Sequence, residues 1–261
     1  MKRSLLASTA MGTLMAATSF AHAEGLGLRV FGGLNIASDN DFSGFIGTYT
    51  TTSGGSFATV GLLGDFEFDA DLGYVFGGAV GYGWDNGFSI DIEAAYRRNK
   101  LDIRGIGDIV AIGTTKGGDP FTSTKFDTSG TISGTDGHLE AISVMANAWY
   151  EFDLGNSPVR PFVGGGVGIA WLDLHDIVEA RFVTGTYTFE GSSGLHGDDS
   201  GFAWQLGAGL NWEIAPDKDF TLEYRYFNGP ELETVRVHDL DNDISLDYEA
   251  HSVMAGFKVG W

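Results

Sequence analysis

Apolar and polar side chains alternate eight times along this chain, each time over about the 9–11 residues that a tilted strand needs to cross a bilayer. Successive side chains of a strand point to opposite faces, so each segment has one apolar and one polar face. The segments lie near 26–37, 70–83, 88–101, 139–152, 159–174, 202–214, 220–227 and 251–261. In the third, Phe88, Ile90, Ile92, Ala94 and Tyr96 oppose Ser89, Asp91, Glu93, Ala95 and Arg97. In the last, Val253, Ala255, Phe257, Val259 and Trp261 oppose Ser252, Met254, Gly256, Lys258 and Gly260.

Such strands suit a soluble sandwich as well as a barrel, and the connections separate the two. Three are short: residues 84–87, 154–158 and 215–218, each carrying the Asn, Asp, Gly or Pro of tight turns. Four are long, roughly 38–69, 102–138, 175–200 and 228–247, and rich in Gly, Ser, Thr and Asp. Strict short–long alternation sorts loops by end, as in an outer-membrane barrel with short periplasmic turns and long extracellular loops. The expected fold is all-β: an eight-stranded antiparallel up-and-down transmembrane β-barrel. Further β potential at 57–63 and 181–189 keeps a ten-stranded alternative open, with 181–189 most simply extending strands five and six as a hairpin around Gly185. Trp84, Trp149, Tyr150, Trp171, Trp212 and Trp261 stand near strand ends, where aromatic girdles form.

The amino terminus reads as an export signal. Lys2 and Arg3 precede a mostly apolar stretch, and Ala21-His22-Ala23 offers an A-x-A cleavage site. Residues 1–23 are therefore expected to be a signal peptide and 24–261 the barrel domain. After residue 23 no stretch is apolar for 18 residues, so no helix crosses a membrane. There is no cysteine, which excludes a disulfide scaffold. The formal charge of −20 argues against a nucleic-acid partner, since phosphate binding needs clustered Lys and Arg.

The polar faces carry charge in mid-strand. Arg29, Asp91, Glu93, Arg97, Glu223, Arg225 and Lys258 are expected in the lumen, because an unpaired charge on the lipid face costs a few kcal/mol at the midplane. Glu213, near the same end, is the proposed partner of Lys258. One reading makes these groups the gate of an ion path. The other makes them a satisfied polar core, favoured because side chains fill an eight-stranded lumen. Arg97, Arg98 and Lys100, near the outer end of strand three, suit contact with lipopolysaccharide phosphates.

Catalytic signals are weak. His251 and Ser252 are adjacent on a strand, so they project to opposite faces and cannot act as base and nucleophile. His138, His175, His196 and His238 fall in or beside long loops, and no pair has metal-binding spacing. Residues 239–245 begin like a calcium loop, but the sixth position is Ile244 and the twelfth Ala250. The glycine run 164–168 lies within a strand, where it suits close backbone approach better than a dinucleotide. No catalytic, metal-binding or cofactor-binding residue is expected.

Several segments together resemble the opacity and surface-antigen barrels of Gram-negative bacteria, within the OmpA-like superfamily. Residues 76–82 and 88–96 resemble their second hairpin, 142–150 with 160–168 their central hairpin, and 220–226 with 251–261 their last two strands. The resemblance implies an outer-membrane location and roles in surface integrity, adhesion or immune exposure. It implies no catalytic residues and no periplasmic wall-binding domain, since the chain stops at the barrel. A small pore is the alternative function and a lipid A-modifying enzyme the third. Expected partners are outer-membrane lipids and lipopolysaccharide, host or environmental surface ligands at the loops, and the barrel assembly machinery, which would meet the final strand at Val253, Phe257, Val259 and Trp261.

Overall fold

The computed structural model describes residues 25–38, 72–101, 137–155, 157–175, 197–232 and 246–260 in full, and the backbone of the strands that continue above them. Eight strands form the wall: β1 Leu26–Ala37, β2 Gly73–Gly83, β3 Phe88–Thr115, β4 Gly137–Glu151, β5 Val159–Thr184, β6 Tyr187–Ala215, β7 Lys218–Asn228 and β8 Glu249–Val259. Each pairs antiparallel with its sequence neighbours. Closure comes from β8 on β1, in register from Leu28↔Val259 to Ala37↔Ala250. The wall therefore has no open edge, which a bilayer requires because it offers no water to unpaired backbone groups.

The alternation seen in the sequence holds on every strand. Leu26, Val30, Leu34, Ile90, Ile92, Val167, Leu206 and Phe257 are among the large apolar side chains on the outer surface, where hydrocarbon covers them. The opposite parity is buried. In β8 the pattern from Ala250 to Lys258 is buried–exposed without a break.

The short ends match expectation. Gly87 donates its backbone N–H to Trp84 O at 3.1 Å. The turn at 216–217 holds Asp217 at φ 59°, a left-handed conformation that Asp tolerates. Around the girdle, Tyr82 packs edge-on to Trp84 at 5.1 Å, and Tyr150 meets Phe88 at 4.8 Å. Trp149 departs from the expected girdle and is buried in the lumen. It has the opposite parity to Tyr150, which holds the outer face.

At the long ends the expected extension of strands five and six is present, and β3 runs further than expected. β3, β5 and β6 continue well past the bilayer, and β5 and β6 stay paired up to Thr184↔Tyr187. Residues Asn40–Tyr49 and Phe57–Ala70 form a further hairpin that leans on the extension of β3. That hairpin does not make a ten-stranded wall, because β1 pairs directly with β2 below it. The leader expected over 1–23, Trp261 and most of the acidic run 239–245 lie outside the described residues.

Candidate functional site

The lumen is the chemically distinctive region, and strand parity builds it. Arg29 of β1 reaches Glu223 at 3.1 Å, Glu93 at 2.9 Å and Asp91 at 3.4 Å. Arg225 of β7 reaches Glu93 and Glu223, each at 2.5 Å, and its Nε donates to Glu223 at 2.9 Å. Two guanidinium groups thus share the same carboxylates. Arg29, Arg97 and Arg225 balance Asp91, Glu93 and Glu223, so this layer carries no formal net charge. Each of the six residues is at most 4 % exposed, a depth at which unpaired charge is strongly disfavoured.

Neutral groups complete the network. Gln205 donates to Asn147 at 2.7 Å and to Glu93 at 3.3 Å. Asn147 donates to Asp91 at 2.7 Å, and the Trp149 indole N–H donates to the same carboxylate at 3.0 Å. Phe31 and Trp149 face both Arg29 and Arg225 at 5.0–5.5 Å, adding cation–π attraction. Arg97 lies over Phe227 at 3.9 Å and donates to Ser143 at 2.9 Å. It therefore belongs to the lumen and not to the lipid-phosphate group, because parity turns it inward and Arg98 outward.

The lumen glycines give this layer its room. Gly164, Gly166 and Gly168 of β5 stand opposite Trp149, Asn147 and Met145 of β4. A Cβ at Gly164 would run into the Trp149 ring, and one at Gly166 into the Asn147 amide. The glycine run is the complement of its neighbour's bulk.

A second charged ring sits at the periplasmic mouth. Arg160 reaches Glu151 at 2.9 Å, Asp219 at 2.9 Å and Glu213 at 3.5 Å. Lys258 is paired with Glu151 at 3.3 Å and Asp219 at 3.6 Å. This corrects the expected Lys258–Glu213 pair: Glu213 stands at the rim beside Arg160, and Lys258 reaches across the lumen to β4. Replacing Arg160 with Ala is expected to lower stability by about 1–2 kcal/mol, less than a deeper charge, since its side chain is 29 % exposed. Chemical unfolding in detergent at low and high salt checks this, with a smaller loss at high salt.

Towards the outer mouth the lumen turns neutral and then apolar. Asn35 donates to Asn99 at 2.6 Å and accepts from Ser252 at 2.6 Å. Above them Leu101, Leu172, Leu174, Leu232, Leu246 and Tyr248 are buried. Ser252 is thus committed inside, while His251 faces outward against Tyr224 at 2.7 Å, on opposite sides as their adjacency requires.

Outside the wall, Arg98 and Lys100 project above the girdle, with Arg98 3.5 Å from Glu140. Next to them the strand register brings His138 against His175. Sequence spacing could not show this pair, which depends on how β4 and β5 align. Sequence reading also missed Phe31, Asn147, Trp149, Gln205, Glu151, Arg160 and Asp219 as lumen groups. Their parity was the available signal.

An outer membrane protein of Gluconacetobacter diazotrophicus is 28 % identical over 165 residues, covering 61 % of this chain and 36 % of the relative, so the match spans about a third of that protein. Among solved structures, Neisserial surface protein A is 15 % identical, with 91 % of this chain and 98 % of that one covered and a TM-score of 0.44. OprG of Pseudomonas aeruginosa is 13 % identical, with 92 % and 99 % covered and a TM-score of 0.45. Residues 5–259 match the outer membrane protein β-barrel domain, and the chain belongs to that family of outer-membrane barrels.

Proposed function

We propose that this protein is a non-enzymatic surface barrel, a closed scaffold that displays four long acidic loops outside the cell. Its roles would lie in surface exposure, adhesion or membrane integrity. On this reading residues 1–23 are removed on export, and the assembly machinery engages β8 through Val253, Phe257, Val259 and the terminal Trp261. Arg98 and Lys100 would touch lipopolysaccharide phosphates.

One observation carries the reading against a pore. Glu93 and Arg225 have side chains with no exposed surface and meet in mid-lumen, where a conducting path would need water. Aromatic groups and Gln205 fill the space beside them. The pairs act as a plug that also fixes strand register.

The test is conductance of the purified protein in planar bilayers. The expected result is no steady single-channel steps. Arg225→Ala should raise the frequency of brief openings, because it removes the group that joins two carboxylates. Steady wild-type steps that disappear in Arg225→Ala would overturn the plug and make the same residues a gate.

A further inference from the structure

Beyond the display function, the outer surface of β4 and β5 holds a patch of metal-ligand chemistry. His138 and His175 stand opposite each other in the register, and their rings stack at 5.7 Å with an angle of 11°. One step along each strand, Glu140 stands opposite Asp173. The four form a two-by-two block on one face, two pleats above Trp171 of the girdle. Their side chains are 28–51 % exposed, so the block opens to the outside.

The contacts within the block set the donor atoms. His175 Nδ1 lies 2.6 Å from Asp173 Oδ1. In the neutral ring Nδ1–H donates to that carboxylate, which puts the lone pair on Nε2. A carboxylate behind the imidazole is the usual outer-shell support of a metal-bound His. His138 Nε2 lies 3.7 Å from Glu140 Oε1. Two donors on one tetrahedral ion, each about 2.0–2.2 Å from it, stand roughly 3.3–3.6 Å apart. This pair is near that separation already.

We propose that His138, His175 and Glu140 bind a divalent transition metal, with Asp173 as the residue that orients His175. Nitrogen donors select zinc, copper or nickel over calcium and magnesium. Among the described residues no three such groups yet surround a common point. Binding would therefore turn the stacked rings toward Glu140 and displace Arg98, which lies 3.5 Å from the same Oε1.

The experiment uses copper(II) as the probe and the purified full-length barrel in detergent micelles. Electron paramagnetic resonance should show one equivalent bound with nitrogen coupling from imidazole. His138→Ala and His175→Ala should each weaken binding by at least about tenfold, and Asp173→Asn by about tenfold. Heat-dependent gel mobility would show that each variant remains a folded barrel. Equal affinity in the wild type and the His138→Ala/His175→Ala double variant, without imidazole coupling, would overturn the site and assign the ion to the acidic loops. No binding to wild type would overturn it as well. Neither result bears on the closed lumen, which conductance tests separately.

Discussion

Replacing Arg225 with Met should destabilise the barrel by about 3–5 kcal/mol, the range for removing one partner of a buried ion pair. Arg225 is fully buried and binds both Glu93 and Glu223. Its loss leaves three lumen carboxylates around Arg29 as their remaining direct ionic partner, and Glu93 would keep its bond from Gln205. Water cannot easily replace the missing guanidinium, because Phe31, Trp149 and Gln205 occupy the surrounding space.

A paired substitution separates charge from packing. Arg225→Met with Glu223→Leu restores formal neutrality, with Arg29 and Arg97 against Asp91 and Glu93. It should recover most of the loss, because apolar groups of similar volume often substitute for a buried ion pair at little cost. Chemical unfolding of folded protein in detergent, followed by tryptophan fluorescence, measures both variants. A double variant as unstable as the single would mean that shape and hydrogen bonding, not charge balance, govern this layer.

The fold was legible because its signal is local. Alternation needs only neighbouring residues, and each segment carried its own copy. The assignment of Arg29, Asp91, Glu93, Arg97, Glu223, Arg225 and Lys258 to the lumen followed from parity alone. Partner choice was not legible, because it depends on the stagger between strands distant in sequence. Lys258 meets Glu151 of β4, more than a hundred residues away, rather than Glu213. His138 beside His175 was concealed for another reason: β4 and β5 are consecutive, but their register turns on how many residues the short turn between them takes up. Trp149 differs, since its parity opposes that of Tyr150, and an inward place was readable from the alternation itself. The extension of β5 and β6 around Gly185 was legible, whereas the continuation of β3 over 102–115 was not, because charged residues and glycines interrupt its apolar positions.

The second large effect is expected at Gly164. A Val there should cost about 3 kcal/mol or more, at or above the upper end of the usual overpacking range, because two obstacles act together. The added Cβ meets the Trp149 ring and also the backbone carbonyl of Ala148. The ring can move only by giving up its N–H bond to Asp91, its edge contact with Phe162 at 5.6 Å and its place beside the two arginines. The carbonyl can move only by displacing β4 from β5. Gly32→Ala is the contrast: a Cβ there meets ordinary contacts at 3.6 and 3.9 Å, and the change should stay within about 0.5 kcal/mol. Adding Trp149→Leu to Gly164→Val should recover part of the loss, since the ring obstacle goes and the backbone one stays. Unfolding in detergent of the four proteins reads all of this. No recovery in the double variant would place the whole cost on the strand spacing and none on the tryptophan. The glycine run would then serve the backbone of the wall rather than the contents of its lumen.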